Sequence, residues 1–343
     1  MARTRRDIIV IGASAGGVEA LLQIARGLPA DLAAALFVVL HTSATKPSLL
    51  PGLLARAGRL TSAMVTDGEA IRRGHIHVAY PDRHLVLESK SVRTLHGPRE
   101  NGFRPAVDPL FRSAATAHGP RVIGVVLSGG RDDGAHGLSL IKQSGGVTIA
   151  QDPQDAPVPD MPLAAIRNVA IDHVAPASEI PEILSRVVGA SFDVAPPRDL
   201  PPAEEIENAR TEGLRSGVPG ALAPFTCPEC GGALWEVPGR GVDHYRCHAG
   251  HAMGTQSLLT MKSERLESAL WTALRALEED AALRRRLADR ALRGNLRGMA
   301  DACEEAARRS QRDADSIREI LLRGNPRGPR AGRARDPPPP TKG

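Results

Sequence analysis

Long apolar runs are missing from this 343-residue chain. No stretch approaches the roughly 20 residues that a bilayer-spanning helix needs, so membrane insertion is not expected. Nor is a secretory leader expected. Met1-Ala-Arg-Thr-Arg-Arg6 runs straight into a strand-like segment, with no apolar stretch and no small-residue cleavage site. The expectation is a cytoplasmic protein. Aromatic residues are scarce at 3%, and the 42% hydrophobic content is mostly Ala, Leu and Val. Cysteine is limited to Cys227, Cys230, Cys247 and Cys303, the first three crowded together. A cytosolic chain rarely forms disulfides, so the crowding points to metal instead of bridges. A large charge of one sign is also lacking. The net charge of +5 comes largely from Arg in the tail, and no nucleic-acid partner is expected from it.

What is present first is an alternation of strand-like and helix-like segments over residues 1–190. Asp7 to Ile11, Leu36 to Leu40, His75 to Ala79, Leu85 to Glu88, Val122 to Leu127 and Val147 to Ala150 read as strands. Gly17 to Arg26, Ser48 to Ala57, Ala106 to Ala117 and Gly134 to Ser144 read as helices between them. Apolar strands alternating with helices predict an α/β, doubly wound, mostly parallel sheet with helices on both faces. Residues 191–223, rich in Pro, Glu and Ala, read as a linker. Residues 224–254 hold the cysteine cluster. Residues 255–322 read as two helices, broken at Gly294-Asn295 and Gly298, forming a helical hairpin or coiled coil. Residues 323–343, basic and Pro-rich, are expected to be disordered.

Chemistry concentrates at the predicted strand ends. Ile11-Gly-Ala-Ser14-Ala-Gly-Gly17 is a strand running into Gly-x-Ser-x-Gly-Gly and then a helix. A nucleophile on a tight strand-to-helix turn needs small neighbours, and the helix N-terminus supplies amides for an oxyanion. A dinucleotide-binding loop is the rival reading. Ser14 replaces its second glycine, and His41 stands where the ribose-binding acid belongs. His41 ends the second strand, and ligands of doubly wound sheets sit at such carboxyl ends. Leu127-Ser-Gly-Gly-Arg-Asp-Asp-Gly134 offers two carboxylates, Asp132 and Asp133, in a Gly-rich loop. Either can orient the imidazole of a Ser-His pair, and one is expected to cap the helix near Gly134.

These segments, with Val78-Ala-Tyr-Pro-Asp82, Phe103-Arg-Pro-Ala-Val-Asp-Pro-Leu-Phe111 and Gln151-Asp152 through Met161-Pro162, resemble in order the catalytic domain of CheB-type protein-glutamate methylesterases. The resemblance covers residues 7–188. It implies hydrolysis of glutamate methyl esters on chemoreceptor-like proteins, with deamidation of glutamines as a related activity. It also implies a triad of Ser14, His41 and Asp133, the last chosen because it precedes Gly134-Ala135. Amides near Ala15, Gly16 or Gly130 would hold the oxyanion, and catalysis would need no cofactor. The chain departs from the family at Ala15, where Thr is usual, and at Gly130, where Met is usual. Its loop after His41 reads Thr-Ser-Ala-Thr-Lys46. A receiver domain ahead of Ser14 is not expected, so the resemblance points to a stand-alone form.

Cys227-Pro-Glu-Cys230, followed by Cys247-His-Ala-Gly-His251, suits tetrahedral zinc held by two hairpins. Cys227, Cys230, Cys247 and His251 are the expected ligands of a closed, structural zinc-ribbon-like module, with His248 and His244 as rivals for the fourth position. Such a small module depends on its metal to fold. Cys303 reads as a lone thiol. His75, His77 and His84 read as structural or solvent-facing. The stripe Leu266, Leu270, Ala273, Leu277, Ala281 reads as a packing face that could also meet a signalling partner. The alternative to an active hydrolase is a regulatory or interaction module of a signalling system, binding partners through the ribbon and helices.

Overall fold

The structure, a computed structural model, describes residues 4–45, 47–192, 220–237 and 242–323. Of the linker expected over 191–223, residues 193–219 lie outside the described residues, while its ends fall in strands (Ser191–Phe192 and Ala221–Thr226); of the disordered tail expected over 323–343, residues 324–343 lie outside them. The first part of the chain runs β1 (Thr4–Arg5), β2 (Ile8–Ala13), α1 (Gly17–Gly27), β3 (Ala35–Leu40), α2 (Leu50–Ala57), β4 (Thr61–Met64) and β5 (His75–Val78). It continues through β6 (His84–Leu87), β7 (Val92–Leu95), α3 (Val107–His118), β8 (Val122–Val126), α4 (Ala135–Gln143) and β9 (Val147–Gln151). Then come α5 (Asp160–Asn168), β10 (His173–Ala175), α6 (Ile180–Gly189) and β11 (Ser191–Phe192).

Seven of these strands form one parallel sheet in the order β10-β9-β8-β2-β3-β5-β4. Strand β2 is buried at every position, and its side chains alternate between two cores. Ile9 and Ile11 pack with Leu21 and Ile24 of α1, Leu54 of α2 and Leu184 of α6. Ile8 and Val10 pack with Leu110 and Phe111 of α3, Leu138 and Ile141 of α4 and Met161 of α5. A strand covered on both faces has no polar face to alternate, which is why these runs are continuously apolar. The order reverses at β2: the chain moves through β3 to one side and returns with β8 on the other. Such a reversal opens a crevice beyond the carboxyl ends of the strands concerned.

Two strands go beyond the sequence reading. Leu85 to Glu88 belongs to no parallel sheet; β6 pairs antiparallel with β7 in a separate hairpin. The edge strand β4 was not anticipated, because Thr61-Ser-Ala-Met64 is half exposed and carries no apolar run.

Further along are β12 (Ala221–Thr226), β13 (Ala233–Val237), β14 (His244–Cys247) and β15 (Ala252–Gly254), one antiparallel sheet in that order. This sheet belongs to the same compact unit as the parallel sheet, up to Leu259. Helix α7 (Thr255–Arg293) begins directly after β15, and α8 (Arg297–Leu322) follows. From Thr260 on the chain forms a second unit. Within it α7 and α8 pair, with Ala281, Ala307 and Ala314 buried, Ser310 Oγ donating to Asp280 at 2.6 Å, and an ion pair between Arg318 and Glu278. Leu266, Leu283 and Leu287 stay exposed. Among the described residues no helix is long and apolar enough to cross a membrane.

Candidate active site and metal site

Ser14 leaves the carboxyl end of β2, His41 that of β3, and Asp133 lies in the loop after β8. These three strands are neighbours, so their loops open on the same rim. The nucleophile turn is fixed by its backbone. Ser14 N donates to Ser128 O at 2.9 Å, and Gly17 N donates back to Ser14 O at 2.9 Å. Gly16 takes φ of 74°, a left-handed conformation that glycine adopts without penalty. On the facing loop, Gly129 lies so close that a Cβ there would stand 2.7 Å from the Ser14 Cβ.

The imidazole of His41 lies 3.1 Å from Ser14 Oγ through Nδ1 and 2.7 Å from Asp133 Oδ2 through Nε2. Its side chain is only 3% exposed, and that of Asp133 is fully buried. The ring is further fixed by Phe103, stacked on it at 3.7 Å and 11°. With Nε2–H donating to the carboxylate, Nδ1 carries a lone pair toward the serine hydroxyl, the tautomer a general base requires.

Asp133 is saturated. Oδ2 also accepts from Val107 N at 2.7 Å, and Oδ1 accepts from Asp108 N at 3.1 Å and Asn101 Nδ2 at 2.8 Å. Burial opposes its charge, but the His41 contact and these donors hold its carboxyl below the usual range. Asp108 moves the other way: burial and the neighbouring Asp133 charge push it well up. One charge of the close pair is thus concentrated on the carboxylate facing His41.

The neighbouring carboxylate has a different task. Asp132 accepts from Gln256 N at 2.9 Å and Ser257 N at 3.0 Å, so it caps the first turn of α7. The expectation that one of the two aspartates caps the helix near Gly134 is corrected. Asp108 does that, accepting from Gly134 N at 3.1 Å and Gly137 N at 2.7 Å. Of the expected oxyanion donors, Ala15 and Gly16 sit on the nucleophile turn just ahead of α1, whereas Gly130 lies one residue beyond the contact that Gly129 makes with Ser14. His75, His77 and His84 are buried and hydrogen-bonded, to Thr61, Glu69 and Pro98 O respectively, with nothing solvent-facing about them. Asn101 and Phe103 were missed as site residues. Their signal was their place in and beside the Phe103 to Phe111 segment, which carried no assigned role.

A family model described as CheB methylesterase matches residues 9–184. The chain belongs to the CheB methylesterase family. It is 43% identical over 180 residues to "Protein-glutamate methylesterase/protein-glutamine glutaminase 2" of Anaeromyxobacter dehalogenans, covering 52% of this chain and 53% of that relative. Against the "Putative protein-glutamate methylesterase/protein-glutamine glutaminase" of Leptospira interrogans (serovar copenhageni), identity is 34% over 182 residues, covering 53% of this chain and 94% of the relative. The crystal structure of the Thermotoga maritima CheB methylesterase catalytic domain aligns with a TM-score of 0.52 and 33% identity, covering 54% of this chain and all of that one. The chain spans about half the length of several curated relatives that it matches.

The four-stranded sheet lies beyond the residues matched by the CheB family model. The cluster sits at two hairpin turns: Cys227 and Cys230 lie between β12 and β13, Cys247 ends β14, and His251 lies just before β15. One ligand atom from each of these four lies within 4.8 Å of the others. Cys230 and Cys247 Sγ are 3.7 Å apart, and His251 Nδ1 lies 3.5 Å from Cys247 Sγ and 3.8 Å from Cys227 Sγ. A tetrahedral ion with bonds of about 2.3 Å to sulfur separates its ligands by about 3.8 Å, close to these three distances, so the set is compatible with a divalent metal. Hydrogen bonding between Cys227 and Cys247 lowers the first thiol and raises the second, so the pair holds its negative charge on Cys227. Of the rivals, His244 stacks on His136 at 4.4 Å, and His248 lies against Gly232; neither joins the cluster.

Proposed function

We propose that this chain is a cytoplasmic protein-glutamate methylesterase acting on a methylated chemoreceptor-like protein, with Ser14 as nucleophile, His41 as general base and acid, and Asp133 as the group that orients and stabilises the imidazolium. The observation that carries this reading is the continuous relay of 3.1 Å from Ser14 to His41 and 2.7 Å from His41 to Asp133, at the strand ends of a CheB fold.

The steps follow from the geometry. Nδ1 of His41 takes the Ser14 proton as Oγ attacks the ester carbonyl. The tetrahedral oxyanion is held by the amides of Ala15 or Gly16 at the start of α1, aided by that helix's positive end. Collapse expels methanol, which His41 protonates. A water, activated by His41, then releases the glutamate. An amide substrate reaches the same acyl-enzyme with ammonia as the leaving group, which is glutamine deamidation. No cofactor enters these steps. The metal at Cys227, Cys230, Cys247 and His251 is proposed to be a structural Zn²⁺: four protein ligands leave no open coordination position for substrate.

Methanol release from a glutamyl-methylated receptor peptide tests the reading. The wild type should turn over, and Ser14→Ala should lose activity by several orders of magnitude with its fold retained. Undiminished turnover by the variant would end the proposal. The same peptide bound but not hydrolysed by wild type would favour a binding module in its place.

A further inference from the structure

The ribbon is joined to the hydrolase rim by hydrogen bonds that converge on one residue. One edge of β15 pairs with β14; its other edge is fastened to the loop 98–103. Asn101 N donates to Ala252 O at 2.8 Å, and Ala252 N donates to Arg99 O at 3.4 Å. Asn101 is fully buried and holds φ of 53°, a left-handed conformation rare outside glycine but tolerated by Asn. Its side-chain amide is fully engaged. Oδ1 accepts from Gly254 N at 2.9 Å. Nδ2 donates to Asp133 Oδ1 at 2.8 Å and to Asp108 Oδ2 at 2.9 Å.

The direction of this amide matters. Its oxygen and nitrogen have nearly the same shape, and the surrounding network decides which way it faces. The Gly254 N–H claims the oxygen, so the NH₂ end points at the carboxylate that holds His41. The same loop carries Phe103, which stacks on that histidine. A second tie lies next door, where Asp132 caps α7 two residues after β15 ends. Gly254 fits tightly there: a Cβ on it would lie 2.3 Å from Asp132 Oδ2. Strand β15 starts immediately after His251, so the residue that closes the cysteine cluster sets where β15 lies.

We infer that the ribbon is a positioning element of the hydrolase centre: β15 holds Asn101, and Asn101 holds Asp133 against His41, so that metal bound at the cysteines sustains the rate of the chemical step. Asn101 and Gly254 act through Asp133 and touch no substrate. The inference rests on the hydrolase and metal readings above. It predicts that methylesterase turnover responds to loss of the ribbon metal, although no metal takes part in the reaction.

The test uses the full chain and four measurements: metal content, kcat and KM for methyl-ester hydrolysis, and the downfield NMR resonance of the His41 ring proton shared with Asp133. Stripping wild type with a chelator should lower kcat about ten- to hundred-fold, the usual effect of an outer-shell partner, with KM within a factor of two. The ring-proton resonance should shift or broaden, and added Zn²⁺ should restore both. Asn101→Ala should do the same irreversibly. Gly254→Ala, a wedge outside the reacting groups, should lower kcat and disturb the resonance while keeping its metal. Because stripping and restoration use the wild-type chain, the test does not depend on any variant folding. Stripped protein with unchanged kcat and an unchanged ring-proton resonance would overturn the inference. So would a Gly254→Ala protein indistinguishable from wild type. Wild type that holds zinc but hydrolyses nothing would instead break the hydrolase reading, and wild type purified without metal would break the metal reading. In both cases the resonance in Asn101→Ala and Gly254→Ala still decides whether β15 positions Asp133.

Discussion

Replacing Asp133 by Asn tests the orienting carboxylate with almost no change in volume. In the native site Oδ2 accepts from His41 Nε2 and Val107 N, and Oδ1 accepts from Asn101 Nδ2 and Asp108 N. All four partners are donors, so an asparagine cannot satisfy them. With its NH₂ in the Oδ1 position, it opposes Asn101 and Asp108. With its NH₂ in the Oδ2 position, it opposes Val107 and donates to His41 Nε2. That drives the ring proton to Nδ1, facing Ser14, where it abolishes the general base. The second arrangement leaves one backbone N–H unpaired and the first leaves two donors clashing, so the wrong tautomer is favoured. A triad with the wrong tautomer loses about 10⁴ in kcat, a barrier increase of about 5.4 kcal/mol. The unpaired buried donor costs a further ~1–3 kcal/mol of stability. The assay is methanol release under single-turnover conditions, with thermal unfolding in parallel. An Asp133→Asn enzyme within tenfold of wild type would refute the tautomer argument.

Other consequences are independent of that one. Gly129→Ala should lower kcat at least about 100-fold in the same assay, because the new Cβ meets Ser14 and the buried Met161 Sδ and shifts the nucleophile. Glu100→Gln should destabilise the fold by about 3 kcal/mol in denaturant titrations, since it leaves Arg112, 17% exposed, without its bidentate partner. Burial opposes the Glu100 charge, yet Arg112 holds its folded pKa below the ordinary 4.5. Its contribution is therefore present above pH 4.5 and lost as pH falls through the folded value. Stability measured from pH 5 down to pH 2 should fall less steeply in Glu100→Gln than in wild type. Chelation should raise the number of thiols that react with a colorimetric disulfide reagent from one, Cys303, to all four. Four reactive thiols before chelation would contradict the metal site.

Much of the rim was readable in the sequence because buried parallel strands announce themselves. Ile8 to Ile11, Phe37 to Leu40 and Val122 to Leu127 are unbroken apolar runs; His41 follows the second at once, and the first and third lead within a few residues to Ser14 and Asp133. The cysteine pair at Cys227 and Cys230 was readable for a different reason: ligand spacing is local. What was not readable was non-local. Asp132 and Asp133 are identical neighbours in a glycine-rich loop. Spacing alone does not distinguish them, although the family resemblance favours Asp133; in the fold one turns toward α7 and the other toward His41. Asn101 sits in a loop without periodicity, and its partner Gly254 is 153 positions away. Asp108 caps a helix from another element, which no cap pattern within α4 could reveal. The edge strand β4 failed for want of burial, since a strand that packs on little needs no apolar run.

The central claim is that the Ser14 hydroxyl is activated by His41. Reaction with a fluorophosphonate followed by peptide mass mapping tests it most directly, since such reagents phosphonylate only serines activated by a base. The account predicts modification on Ser14 in wild type and none in His41→Ala. A Ser14 that stays unmodified in wild type, or is modified equally without the imidazole, would contradict it.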